Sequence, residues 1–274
     1  VSNLVLIGPA VESSNVDGIQ FARDISPDGT VANQAIRDLV VYGFRDGIKF
    51  GDQSYLLCFY GFHIFKCWRS GVNVEALTNA GENYNFHGGC ISDCQNANGT
   101  AHAVLQPNDG NAICNFFGVS FDYNDRVFRV ESGSFQAIGC HFEGNAERAF
   151  GRVVPMSGQM AHASISHSEI TATESTDNRR SWFLVDTNNS TRAGMHLTGN
   201  TIKMYEKTGE LVSFLGTNDA VSPVCENNII FVRGPDNGTG GAYPASKAEY
   251  SPTMGAKLNQ LFNGSFEYNT SAVA

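Results

Sequence analysis

Apolar positions in this chain return in a fixed local figure. Residues 116–124 read F-F-G-V-S-F-D-Y-N and residues 137–145 read A-I-G-C-H-F-E-G-N. In both, an apolar residue is followed two places on by Gly, three further on by an apolar anchor, and then at once by an acid. Variants recur at 59–67, 86–94, 165–173, 197–205, 225–233 and 261–269. The anchors are Ile64, Ile91, Phe121, Phe142, Ile170, Ile202, Ile230 and Phe266, at intervals of 21 to 36 residues. A repeat of this size with variable insertions predicts stacked coils of a solenoid.

Three places before the anchors stand Gly61, Gly88, Gly118, Gly139, His167, Gly199, Asn227 and Asn263. Most of these tolerate the left-handed backbone of a sharp bend. Five places before the anchors stand Phe59, Phe86, Phe116, Ala137, Ile165, Leu197, Cys225 and Leu261, all able to point inward. Period-two spacing around a bend, with β-branched and aromatic anchors, predicts short strands. Second apolar runs follow at 71–77, 102–105, 127–130, 150–154, 182–185 and 211–215, as further faces of each coil. The expected fold is therefore all-β: a right-handed, single-stranded parallel β-helix. An antiparallel sandwich is the competing reading, and the aligned copies weigh against it.

The chain divides by this pattern into 1–55, 56–233 and 234–274. The first part is less regular, with 18–21 and 47–50 as two similar strands and 35–43 as a lead-in coil. The middle is the main helix. The last is a long Gly- and Pro-rich loop and a further coil, with the solenoid expected to continue beyond Ala274. Compact coils over 108–154 should leave strand faces open, and longer loops at 174–181 and 186–193 should wall a groove.

Composition narrows the partners. A formal charge of −9 argues against nucleic acid and anionic membrane surfaces. Charged residues are only 16%, and the neutral polar remainder suits a carbohydrate partner. No apolar run approaches membrane-span length, so no membrane insertion is expected. The 7 cysteines fall in or beside repeat columns and not at framework spacings, which reads as buried thiols of a protein folded in a reducing cytoplasm. No metal site or cofactor is expected.

Side chains flanking an inward anchor point out. The column before the anchors contains Ser120, His141 and Glu169; the column after contains Asp122, Glu143 and Lys203. Asp122, Glu143 and Glu169 are thus the candidate catalytic residues, on one outer face of three successive coils. Neighbouring carboxylates shift each other's proton affinity, and an acid beside a carboxylate is what glycoside hydrolysis uses. His141, Lys203, Arg129 and Arg152 are candidate substrate-binding residues, the last three for an anionic sugar. A solvated acidic surface and sugar binding without catalysis stay open beside this reading.

The repeats, the N-A-G-E-N-Y-N-F turn at 79–86 and the S-F-D-Y-N and G-C-H-F-E segments resemble bacteriophage tailspike proteins, the capsule- or O-antigen-degrading depolymerases with a pectate-lyase-like β-helix. The resemblance covers residues 35–235. It implies a parallel homotrimer on the virion tail, attached to other phage tail proteins and cleaving host surface polysaccharide outside the cell. Within that class a hydrolase is expected, with a lyase or a noncatalytic glycan-binding tail protein as alternatives. Exposed Phe65, Trp182 and Phe231 would be covered in the trimer.

Overall fold

The computed structural model describes residues 2–22, 30–75, 82–107, 112–144, 150–172, 181–186, 192–204, 210–215 and 224–232. These residues form an all-β structure of parallel strands in two long sheets and one two-stranded sheet. The chain visits the two long sheets in alternation. Each strand is hydrogen-bonded to its counterpart one coil earlier and one coil later, an order compatible with a parallel β-helix.

The 13-stranded sheet runs from Ser2–Ile7 through Ala35–Tyr42, Cys58–Phe65, Tyr84–Ser92 and Ile113–Asp122. Beyond these each coil contributes two shorter strands, beginning with Gly133–Ile138 and His141–Glu143 and ending with Val224–Glu226 and Ile229–Val232. The register is the one that the repeat implies. Ile64 pairs with Ile91, Ile91 with Phe121, Phe121 with Phe142, Phe142 with Ile170, Ile170 with Ile202 and Ile202 with Ile230. The column also runs backwards through Val41 to Leu6.

The bend column explains why one strand turns into two. Gly61, Gly88, Gly118, Gly139, His167, Gly199 and Asn227 all have φ between +51° and +66°. A left-handed residue costs an L side chain about 1–2 kcal/mol, so glycine dominates. Where His167 stands instead, the side chain is exposed.

The 8-stranded sheet holds the second apolar runs, among them Asp46–Phe50, Ser70–Val74, His102–Gln106, Arg126–Val130 and Gly151–Val153. The two similar strands of the first part pair in register, Ile19 with Ile48 and Phe21 with Phe50. Between the sheets lies a continuous core rich in phenylalanine. Phe59, Phe86 and Phe116 stack on successive coils at 4.8 and 4.7 Å between ring centres. In the C-terminal coils the interior turns polar at the bend, and the groups satisfy each other. Asn200 accepts from the Ser168 amide at 3.0 Å and donates to the Ile165 carbonyl at 2.8 Å. Asn228 repeats this one coil on.

All seven cysteines are free, four of them buried. Ser2–Ile7 is a strand that the repeat does not mark, because Val5 and Ile7 point outward and stay exposed. Residues 173–180, 187–191 and 233–274 lie outside the described residues, and with them the expected groove walls, the long C-terminal loop and the Phe266 coil.

Candidate functional site

Asp122 follows the Phe121 anchor and Glu143 follows Phe142, and the two pair in register on adjacent coils. The same pairing sets Ser120 beside His141, and the next sets His141 beside Glu169. Inward anchors thus drive these polar neighbours onto one outer face.

His141 occupies the centre of this face. Its Nδ1 is 3.4 Å from Asp122 Oδ1 and its Nε2 is 3.9 Å from Glu143 Oε2. The sequence leads one to expect two carboxylates confronting each other; the structure puts one at each ring nitrogen of an imidazole. Asp122 is the more enclosed, with its side chain 21% exposed against 46% for Glu143. Ser120 Oγ donates to Asp122 Oδ2 at 2.6 Å, and the Cys90 thiol approaches the same oxygen at 3.7 Å. Burial, then the Asp122 charge, pushes the Cys90 thiol up to about 11, so it remains a protonated donor. The result is a carboxylate held from below and an exposed carboxylate beside it.

Glu169 takes a different role. Lys203 Nζ donates to its Oε1, and this hydrogen bond holds the carboxyl below its ordinary range. Lys203 thus places a cation beside these carboxylates, and it is engaged by Glu169.

Arg129 and Arg152 are not on this face. They pair with each other in the second sheet, round the corner that Tyr123–Asp125 makes after Asp122. The structure therefore does not bring them together with the acids: counting along strands gives register, but the corner redirects the side chains. Arg129 bonds Glu131 at 2.5 Å. Burial, then the charge of Arg129, lowers the proton affinity of Arg152.

Arg129 instead borders a cleft of roughly 440 Å³ on the second sheet, with Arg45, Trp68, Arg69, His102 and Leu105. Each arginine is braced. Arg45 binds Asp17 through two bonds of 2.8 and 2.7 Å, and Arg69 binds the fully buried Asp46 and also Glu75 at 3.0 Å. Ser70 and Asn73 complete the shell of Asp46 at 2.7 and 2.9 Å. The sequence carried a signal for this cleft in the paired segments R-D-G-I-K-F at 45–50 and R-S-G-V-N-V at 69–74. Their glycines lie under the next coil, where a Cβ on Gly47 would sit 2.4 Å from Ile64 and one on Gly71 2.5 Å from Ile91.

A third feature lies on the outer face of the first sheet. Tyr60, His87 and Phe117 stack on successive coils, 4.9 Å apart at each step, with the Arg37 guanidinium 4.3 Å above Tyr60.

Comparison with known proteins finds no matching family model, no similar curated protein and no similar solved structure.

Proposed function

We propose that this chain is the β-helical body of a polysaccharide depolymerase of the bacteriophage tailspike kind, an endo-acting glycoside hydrolase working on capsule or O-antigen. In this reading the solenoid is right-handed and three copies associate in parallel, on a virion tail that also carries other tail proteins. The observation that carries the catalytic part is the placement of Asp122 and Glu143 at the two ring nitrogens of His141 on an open strand face.

The division of labour follows from exposure and hydrogen bonding. Asp122, fixed by Ser120 and Cys90, serves as the carboxylate that stabilises or attacks the sugar at its anomeric carbon. Glu143 is the outer group, placed to give a proton to the leaving oxygen. His141 stands between them with its Nδ1 at 3.3 Å from Ser120 Oγ, and Lys203 with Glu169 extends the polar face by one further step. Trimer formation finds support in the outward column Ile7, Tyr42 and Phe65, which presents apolar side chains on three successive coils. The side chains of Trp182 and Phe231 lie outside the described residues.

A noncatalytic glycan-binding role is the second reading. The Tyr60–His87–Phe117 ladder favours it, since a row of aromatic edges beside the Arg37 guanidinium on an outer face gives a sugar chain an apolar strip to lie along. Incubating the protein with purified capsular polysaccharide and lipopolysaccharide, and sizing the products, separates the two. Shortened chains are expected. Unchanged chain length across polysaccharides that the protein binds would leave only the binding role, and products with the ultraviolet absorbance of an unsaturated uronate would mean a lyase. Sedimentation of the full protein should give the mass of three chains.

A further inference from the structure

The cleft on the second sheet is not accounted for by the carboxylate face. Its floor is His102, only 5% exposed, whose Nε2 finds no hydrogen-bond partner among the described residues. The ring lies beside the Thr100 backbone and in the field of Arg126, Arg129 and Arg152. Burial, then these three positive charges, pushes the imidazole down to about 3, so it is neutral at ordinary pH. A neutral imidazole that gives its one N–H to a carbonyl leaves its other nitrogen as an acceptor. Buried acceptors ordinarily find a donor, and the cleft that His102 lines is a place from which one can come.

That requirement sorts the possible ligands. A carboxylate or fully ionised phosphate brings no proton for Nε2, although the arginines would attract it. A hydroxyl serves both sides: its hydrogen goes to the imidazole and its oxygen accepts from a guanidinium. Arg45, Arg69 and Arg129 are moreover already paired with Asp17, Asp46, Glu75 and Glu131, so the wall is close to charge-balanced. Half-buried Trp68 lines the same cleft. Hydroxyls against paired charges with an indole alongside are the recognition chemistry of a sugar.

We infer that this cleft is a saccharide-binding site separate from the Asp122–Glu143 face, seating one sugar unit against Trp68 with a hydroxyl directed to His102 Nε2. It shares the glycan partner of the proposed function but does not depend on cleavage. A chain held here and continuing round the Tyr123–Asp125 corner would reach the carboxylates from the same coil.

The test reads binding alone. Trp68 and Trp182 are the 2 tryptophans, so Trp182→Phe leaves Trp68 as the sole indole reporter. Purified capsular and O-antigen oligosaccharides are titrated into this variant, and the parent protein is applied to an array of the same compounds. At least one oligosaccharide should change Trp68 emission saturably, and its retention on the array should fall tenfold or more in Trp68→Ala. Arg129→Gln, which alters the wall and leaves the core intact, should show a loss in the same direction and covers the case that Trp68→Ala does not fold. Three outcomes overturn the inference: no oligosaccharide alters the emission, retention is indifferent to both substitutions, or inorganic phosphate alone saturates the signal. Binding without any cleavage would sink the hydrolase reading and leave this site standing.

Discussion

Phe142 stacks on Phe121 with ring centres 5.0 Å apart and planes 8° from parallel, both side chains fully buried. The pair is the inward half of the device whose outward half is Glu143 beside Asp122. Core packing and the candidate site therefore share one register, and a slip of one residue would exchange their faces.

Truncating this stack should be severe. Phe142→Ala should lower stability by about 3–5 kcal/mol, the range for a large buried aromatic side chain. Phe142→Asp, which buries an unpaired charge, should prevent folding. Denaturant midpoints, with circular dichroism for the second variant, read both. A midpoint for Phe142→Ala close to the parent's would show that the stack does not hold the coils.

The glycines of the bend region separate strain from collision. Gly118 has φ +60°, and a methyl group added there would meet no described atom within 4 Å, so Gly118→Ala should cost about 1–2 kcal/mol from backbone strain alone. At Gly89 the added carbon would sit 2.5 Å from the Phe62 carbonyl oxygen, and Gly89→Ala should cost distinctly more. His167→Gly works the other way, since an exposed histidine at φ +51° gives up its strain for about 0.5–1 kcal/mol of stability after the extra chain entropy of glycine. Equal midpoints for Gly89→Ala and Gly118→Ala would contradict the contact with Phe62.

Much of this was legible in the chain because two signals coincide. Inward anchors at Phe121 and Phe142 set the alternation, and glycine or a substitute three places earlier marks the bend, so the outward column Asp122, Glu143, Thr171, Lys203 could be read directly. Ser2–Ile7 was not legible, because an edge strand with exposed Val5 and Ile7 hides the alternation. The cleft was legible only in part, through the paired segments at 45–50 and 69–74. Its walls come from Arg45, Arg69 and Arg129 on separate coils, joined by connections of unequal length, and their convergence is a property of the corner rather than of any one strand.

Half-buried His162, pushed down to about 4, adds to the acid sensitivity, which should be largest at His102. Its folded-state value near 3 lies below the ordinary 6.5, so the folded chain refuses a proton that the unfolded chain accepts. The linked stability is complete above pH 6.5 and declines as pH falls from there towards 3, at about 1.4 kcal/mol per pH unit for one such group. Glu169, held low by Lys203, loses its contribution only further down, as pH drops through the carboxylate range. Unfolding free energy measured between pH 7 and 5 should therefore fall in the parent and fall less steeply in His102→Gln. Parallel slopes would mean that His102 does not remain neutral in the fold.

The carboxylate face makes the sharpest prediction about activity. Asp122→Asn and Glu143→Gln keep size and outward direction and remove the charge, so midpoints should change little. Loss of a nucleophile or general acid should slow cleavage of a susceptible polysaccharide by about two to four orders of magnitude. Glu169→Gln is expected to act more weakly, because its carboxylate is occupied by Lys203 and stands on the far side of His141 in the register. His141→Asn should fall between, reducing turnover by disturbing the orientation of both carboxylates while leaving polysaccharide retention near the parent's. Rates are read as reducing ends released per minute from a polysaccharide that the parent protein shortens. If all four variants cleave at the parent's rate, the Asp122–His141–Glu143 cluster is a solvated surface and catalysis lies elsewhere on the chain or between copies.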